Sequence, residues 1–223
     1  MEFLERKDGE SAHWYARRVL LYNIVSLNLK PGDRIRENEI CQQLNVSRTP
    51  VREGILDLAQ HRLIEIFPQS GTYVSKIDLE YVENARYLRQ VLESQLAREA
   101  SQRKTPELLD RLRKNVDEQK KMEKIGKQFL QLDGEFHEII YEMCARDFLL
   151  ETLSAVCAHL DRARLLSYHN GVSPKILQDH ERILQAIVQG DGETAYVTAY
   201  QHMERELEDE PMLRKKYPQY YKK

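Results

Sequence analysis

Long apolar runs are missing from this chain, and none of its hydrophobic stretches could cross a bilayer as a helix. Cysteine is scarce: Cys41, Cys144 and Cys157 are odd in number, scattered and in no C-x-x-C spacing. A disulfide framework and a zinc knuckle are thereby excluded, and reduced core thiols are expected. The N-terminal ten residues are charged and contain no apolar h-region, so a cytoplasmic protein with no membrane association is expected. A strong charge of one sign is lacking too, since the net charge is −2, which excludes a non-specific DNA coater. No G-x-S-x-G, H-E-x-x-H or phosphate loop is present, and the chain is not expected to be an enzyme.

What charge bias there is lies in the first third. From Ser11 to Lys76 nine Lys/Arg stand against six Asp/Glu, whereas 23 stand against 26 from Ile77 onward. A small DNA-reading head on a mildly acidic body fits that distribution. Within the head, residues 46–56 (VSRTPVREGIL) have the form of a groove-entering helix. Ser47 is a good N-cap whose hydroxyl can accept a free backbone N–H, and Pro50 falls in the first turn, where its missing N–H costs little. The helix is predicted to start at about Arg48. Arg48 and Arg52 share one face near its start, with Val51, Ile55, Leu56 and Leu58 as the inward stripe.

Around it the pattern reads helix, turn, helix. A first helix is predicted from Ser11 to about Leu27, with Tyr15, Ala16, Val19, Leu20, Ile24 and Leu27 at helical spacing. Lys30-Pro31-Gly32-Asp33 ends it, and a short helix spans about Glu37–Leu44. Asn45 tolerates the left-handed backbone that a tight turn requires. Leu63–Phe67 and Gly71–Ser75 then form a hairpin signal across Pro68-Gln69-Ser70, which reads as a wing. The fold expected is mainly α: a winged helix-turn-helix domain over 1–76 and an all-α antiparallel helical bundle over 77–223, joined closely at Lys76 to Leu79. Six bundle helices are predicted, at about 79–101, 105–124, 126–143, 147–168, 173–189 and 191–209, with breaks at Lys104-Thr105-Pro106, Gly126, Arg146-Asp147, Asn170-Gly171 and Gly190-Asp191-Gly192. The tail from Lys215 has no helical period and is expected to be loose.

Asp133 and His137 lie at i and i+4 on the face that carries Phe129, Phe136 and Ile140, so both should point inward. His180 is in phase with Ile176, Ile183, Leu184 and Ile187. His202 is in phase with Ala195 and Ala199, although Glu206 one turn later makes that stripe polar. Each could be a hydrogen-bonded core residue, but several inward polar groups must all find partners. Together they would make a nitrogen–oxygen ligand set suited to one divalent transition metal ion, zinc or nickel above all. His13, His61, His159 and His169 are left unassigned. Arg89 lies at the edge of an apolar stripe of Ala85, Leu88, Leu92 and Leu96. Its charge can go to Glu93 at i+4, or to the carboxylate of a ligand as a bidentate fork.

These residues together resemble the GntR family of transcription regulators, of the FadR type whose C-terminal domain is the FCD domain. Residues 29–35 (LKPGDRI), Glu37, residues 45–53 (NVSRTPVRE) and 71–74 (GTYV) resemble its winged-helix pattern. Arg89-x-x-Leu92-Glu93, Asp133-x-x-x-His137, His180 and His202 resemble the FCD pattern, and the six predicted bundle helices are similar to the shorter VanR-like branch. The resemblance implies DNA contacts from Ser47, Arg48, Thr49, Arg52 and Gly71, and a homodimer on a palindromic double-stranded operator. It also implies metal ligation by Asp133, His137, His180 and His202, and a small carboxylate effector near Arg89. Asn45 stands where the family usually has glycine, and Ser70 where a basic residue often precedes the wing glycine.

Overall fold

Ser11 opens α1 (Ala12–Val25) by accepting the backbone N–H of Trp14 at 3.2 Å. In this computed structural model, which describes residues 1–122, 127–205 and 208–223, α1 leads to β1 (Arg34–Ile35), α2 (Glu37–Leu44) and α3 (Arg48–Gln60). The strands β2 (Ile64–Phe67) and β3 (Gly71–Val74) follow. Tyr15, Ala16, Val19, Leu20 and Ile24 of α1 are buried with Val51, Ile55 and Leu58 of α3 in one core. Each large side chain there contributes about 1.5–3 kcal/mol by leaving water. Gly54 lets the two helices meet, since a Cβ on it would stand 3.1 Å from the backbone nitrogen of Arg17. Asn45 adopts the left-handed conformation expected of it, at φ 52 and ψ 48.

Three details of the head differ from expectation. Leu56 is 47% exposed and stands on the solvent side of α3, because the inward stripe passes through Gly54, Ile55 and Leu58. Ser47 has the extended backbone of an N-cap, yet its side chain makes no capping hydrogen bond and is left on the surface. The wing is a three-stranded antiparallel sheet in the order β1-β3-β2, with Arg34 opposite Tyr73 and Ile66 opposite Thr72. Two residues are too short a run to announce β1 in sequence. It forms because Ile35 reaches the head core.

The helices that follow are α4 (Leu79–Arg103), α5 (Pro106–Lys121), α6 (Lys127–Met143), α7 (Asp147–Tyr168), α8 (Pro174–Gln189) and α9 (Gly192–Arg205), then a short α10 (Glu210–Lys216). Thr105 and Pro106 start α5, while Gly190 ends α8 at φ 77. The expected break at Gly126 and the polar turn at Glu206 lie outside the described residues. Leu96, Leu112, Phe136, Ile140, Ile183 and Ile187 fill the bundle core, with Ala195 and Ala199 allowing α9 to lie close. No helix of the described residues is long and apolar enough to cross a membrane.

The tail is ordered against the linker, contrary to expectation. Ile77 N–H donates to the Tyr220 carbonyl at 2.8 Å, Lys222 N–H donates to the Ile77 carbonyl at 2.9 Å, and Tyr221 is 2% exposed. Leu213 and Tyr221 join Ile77, Val82 and Leu160 in a small core, an interaction invisible to local periodicity.

Helix α7 is shared between the two halves. Its Ala158 completes the head core. His159 Nε2 donates to the Arg62 carbonyl at 3.1 Å, just before β2, and its Nδ1 accepts from Asp78 N–H at 3.2 Å and from Arg162 at 2.8 Å. The fully buried Arg162 also donates to the Ser75 carbonyl just after β3, at 2.8 Å. One helix thus holds both ends of the wing hairpin. Burial, with the Arg162 charge beside it, pushes the His159 imidazole down to about 3, and burial brings Arg162 down to about 9.

Candidate metal centre and DNA-facing helix

Helices α6, α8 and α9 bring Asp133, His137, His180 and His202 together, each at most 5% exposed, with one donor atom from each lying within 4.8 Å of the others. His180 Nε2 is 3.2 Å from His202 Nε2 and 3.8 Å from Asp133 Oδ1, and His137 Nε2 is 3.8 Å from Asp133 Oδ2. The i, i+4 spacing on α6 sets Asp133 and His137 on one face, as read from sequence.

Behind the inner atoms stands an outer ring that fixes the tautomers. Glu93 Oε2 lies 2.7 Å from His137 Nδ1, and Gln119 Oε1 lies 2.7 Å from His180 Nδ1. The Gln119 amide is oriented by its own Nε2, which donates to Asn115 Oδ1 at 2.7 Å and to the Leu132 carbonyl at 3.4 Å. With Nδ1 carrying the proton, the Nε2 of His137 and of His180 turns its lone pair to the centre, where that of His180 meets His202 Nε2. His137 Nε2 is buried and finds no hydrogen-bond partner. A buried acceptor without a donor costs free energy that a cation at this point would recover. The donor set, three imidazoles and a carboxylate, fits zinc or nickel better than calcium or magnesium.

Asp133 is held by Arg164, and its Oδ1 accepts from the Tyr168 hydroxyl at 3.1 Å. Burial would raise its pKa, but the Arg164 guanidinium outweighs burial and holds the carboxyl well below the usual range. Burial, aided by His202, keeps His180 well below its ordinary value, so it is a neutral imidazole ready to donate a lone pair. His202 Nδ1 faces Asp179 Oδ2 at 3.6 Å, and Arg205 holds the same carboxylate.

Arg89 is not at the edge of the stripe: it is 6% exposed and points inward, while Leu88 is 37% exposed and points out. Its Nε donates to Glu93 Oε1 at 2.7 Å. Burial raises the Glu93 pKa, and Arg89 followed by His137 overcomes that and lowers it. Arg89 therefore stands one residue behind His137. Glu93 is read from sequence only as the partner of Arg89, and Gln119, Arg164, Tyr168 and Asp179 are missed altogether. Asp179 adjoins His180, which is a faint signal, while the others have no local one.

On the head, Ser47, Arg48, Thr49 and Arg52 are exposed. Arg48, Thr49 and Arg52 line a depression of about 500 Å³ with Glu37, Glu53 and Leu56. Neither arginine has a hydrogen bond or ion pair among the described residues. Gly71 has φ +132, and a Cβ on it would lie 3.1 Å from Arg34 Nε, so the Arg34 guanidinium of β1 lies beside the wing glycine.

Residues 16–74 match the model of the bacterial regulatory proteins of the gntR family, and residues 86–205 match that of the FCD domain. An HTH-type transcriptional regulator in an unstable DNA locus of Streptomyces ambofaciens is 32% identical over 199 residues, 89% of this chain and 84% of that one. The HTH-type transcriptional repressor RspR of Escherichia coli K12 is 32% identical over 200 residues, 88% of each chain. E. coli McbR/YncC superposes with a TM-score of 0.75 at 21% identity, over 93% of this chain and 99% of that structure, a likeness of fold alone. With both halves matched in order along one chain, this protein belongs to the GntR family of transcription regulators and carries an FCD domain as its helical half.

Proposed function

We propose that this regulator is a cytoplasmic, homodimeric repressor that binds a palindromic operator through residues 1–76. Its operator affinity is set by a small carboxylate bound at a metal site in residues 77–223. Asp133, His137, His180 and His202 hold one divalent ion, zinc or nickel, which when bound supplies a Lewis-acidic position for a carboxylate oxygen. The observation that carries this is the bare, buried Nε2 of His137, facing three other donors. Ser47, Arg48, Thr49 and Arg52 meet base edges and phosphates, and Gly71 lets the wing approach, with Arg34 beside it. No catalysis is proposed, since Glu135 and Glu138 beside the ligands are exposed and the nearby carboxylates Glu93 and Asp179 are each held by an arginine, Arg89 and Arg205.

Helix α7 supports the link between the two sites. Arg164 and Tyr168 grip Asp133, while His159 and Arg162 grip the carbonyls that bracket the wing. Arg164 also lines a groove of about 910 Å³ between α1 and α6–α7, together with Arg17, Arg18 and Lys127. An effector that prefers one placement of α7 changes operator affinity by the factor that the operator changes effector affinity.

One observation favours a second reading, in which the metal itself is sensed: Arg89 is already committed to Glu93. A thermal-shift series of small carboxylates, with and without zinc or nickel and after chelation, separates the two. A ligand at a hundred times its Kd stabilises by about 2.7 kcal/mol. Stabilisation by one acid only when metal is present supports the carboxylate sensor. Stabilisation by metal with no acid effect, and operator affinity that follows metal alone, supports the second reading. No response to metal overturns both.

A further inference from the structure

The groove between α1 and α6–α7 is separate from the metal centre and from the DNA-facing helix. Its volume of about 910 Å³ lies within the range of about 300–1,000 Å³ that small organic ligands occupy, and it sits at a junction of two domains, where such sites are common. Its apolar walls come from three separate cores. Leu21 and Val25 pack on the head core, Leu150 on the bundle core and Leu130 on the small cluster around Phe129. Trp14 lines the same groove and is 49% exposed, so it has apolar area still to cover.

Five basic side chains line the groove against three acidic ones. Arg18 Nε holds Glu10 at 2.7 Å, Lys127 holds Glu2 and lies over the Tyr22 ring, and Arg164 holds Asp133 and Asp161. Arg17 differs. It is half-buried, its guanidinium lies over the Trp14 ring at 5.2 Å, and it has no hydrogen bond or ion pair among the described residues. A guanidinium stacked on an indole keeps its N–H edge for a planar anion while its face is covered.

We propose that this groove binds a small organic carboxylate with a flat apolar body, without any metal. Arg17 takes the carboxylate in a charge-assisted pair, and the body lies between Trp14 and the leucine walls. Glu138 lines the same groove, so a ligand with one negative charge suits it better than one with two. Such a ligand touches the head and the helical half at once. The inference stands apart from the acid proposed for the metal centre, which needs the ion.

Trp14 is the single tryptophan of the chain, so its emission reads this groove. The test titrates 3-phenylpropionate at pH 7 into the full chain, once with chelator and once with zinc, followed by Trp14 fluorescence and by ligand-detected NMR. The uncharged 3-phenylpropionamide is the second probe. The variants are Arg17→Gln, Gly134→Leu and, as a control, Arg113→Gln, an exposed arginine on α5. A Cβ on Gly134 meets no atom within 4 Å, so leucine there grows into the groove while α6 gains helix propensity. Circular dichroism checks that each variant is folded. The expected result is saturable binding to chelated wild type, with Kd raised about tenfold or more in Arg17→Gln, in Gly134→Leu and for the amide, and unchanged in Arg113→Gln. Binding that appears only with zinc assigns the acid to the metal centre, which overturns the groove site and leaves the metal reading standing. No binding under either condition, or binding indifferent to both groove substitutions, overturns the groove site as well.

Discussion

Replacing Gln119 by Met tests the outer ring of the metal centre without touching a proposed ligand. Gln119 is 1% exposed, and its Oε1 is the acceptor for the Nδ1 proton of His180 at 2.7 Å. Methionine has similar volume and no acceptor of that strength, so the imidazole either keeps a buried N–H unsatisfied or moves its proton to Nε2. The first costs about 1–3 kcal/mol, and the second blocks the lone pair that a metal needs. Outer-ring partners of metal-bound histidines typically contribute 10–100-fold in affinity, or about 1.4–2.8 kcal/mol, so two independent estimates agree. The assay is competition with a chromophoric chelator at pH 7, with zinc and with nickel. Gln119→Met should weaken binding about 10–100-fold, Gln119→Glu should largely restore it, and His180→Ala should abolish it. If Gln119→Met binds within twofold of wild type while His180→Ala does not bind, the tautomer argument is wrong. If His180→Ala binds normally, the ligand set is wrong.

Arg48→Ala and Arg52→Ala should each weaken operator binding by about 1–3 kcal/mol and relax base preference at one position, read by fluorescence anisotropy on operator variants; an unchanged profile removes them from the interface. Arg34→Ala should weaken specific and non-specific DNA alike and lower the salt slope by about one unit, as loss of a phosphate contact does, and an unaltered slope argues against a wing contact. His159 gives a pH signature. Its folded-state value, about 3, lies below the ordinary 6.5, so the unfolded chain takes up the proton first. The stability is whole above pH 6.5 and is lost as pH falls, by roughly 2 kcal/mol at pH 5. Urea titrations of wild type and His159→Gln at pH 7 and pH 5 should show the larger acid loss in wild type, and equal losses would refute the neutral, clamped imidazole.

The residues of the centre were legible because helical period converts directly into direction. Asp133 and His137 four apart beside Phe136, and His180 among isoleucines, can only face inward once the helices pack. The same reasoning placed the arginines on the open face of α3, and asparagine's tolerance of the left-handed region placed Asn45 in its turn. It failed where two stripes compete on one helix. On α4 the buried side runs through Val82, Ala85, Arg89 and Leu96, and the apolar Leu88 and Val91 are left outside, so a reading by hydrophobicity alone put Arg89 at an edge. Leu56 misled in the same way, because a glycine at 54 holds the inward position.

Sequence by itself determined the longer helices and the wing hairpin, the family, and which residues could serve as inner donors, since caps, periods and short motifs are local properties. Tertiary structure alone decided what stands behind those donors and how the halves join. Glu93, Gln119 and Asp179 come to their histidines from different helices or different faces. Arg162 reaches Ser75 across 87 positions, and Tyr221 pairs with Ile77 across most of the chain. Such contacts depend on how whole helices pack, and the free energy that selects them is gained only when the cores close.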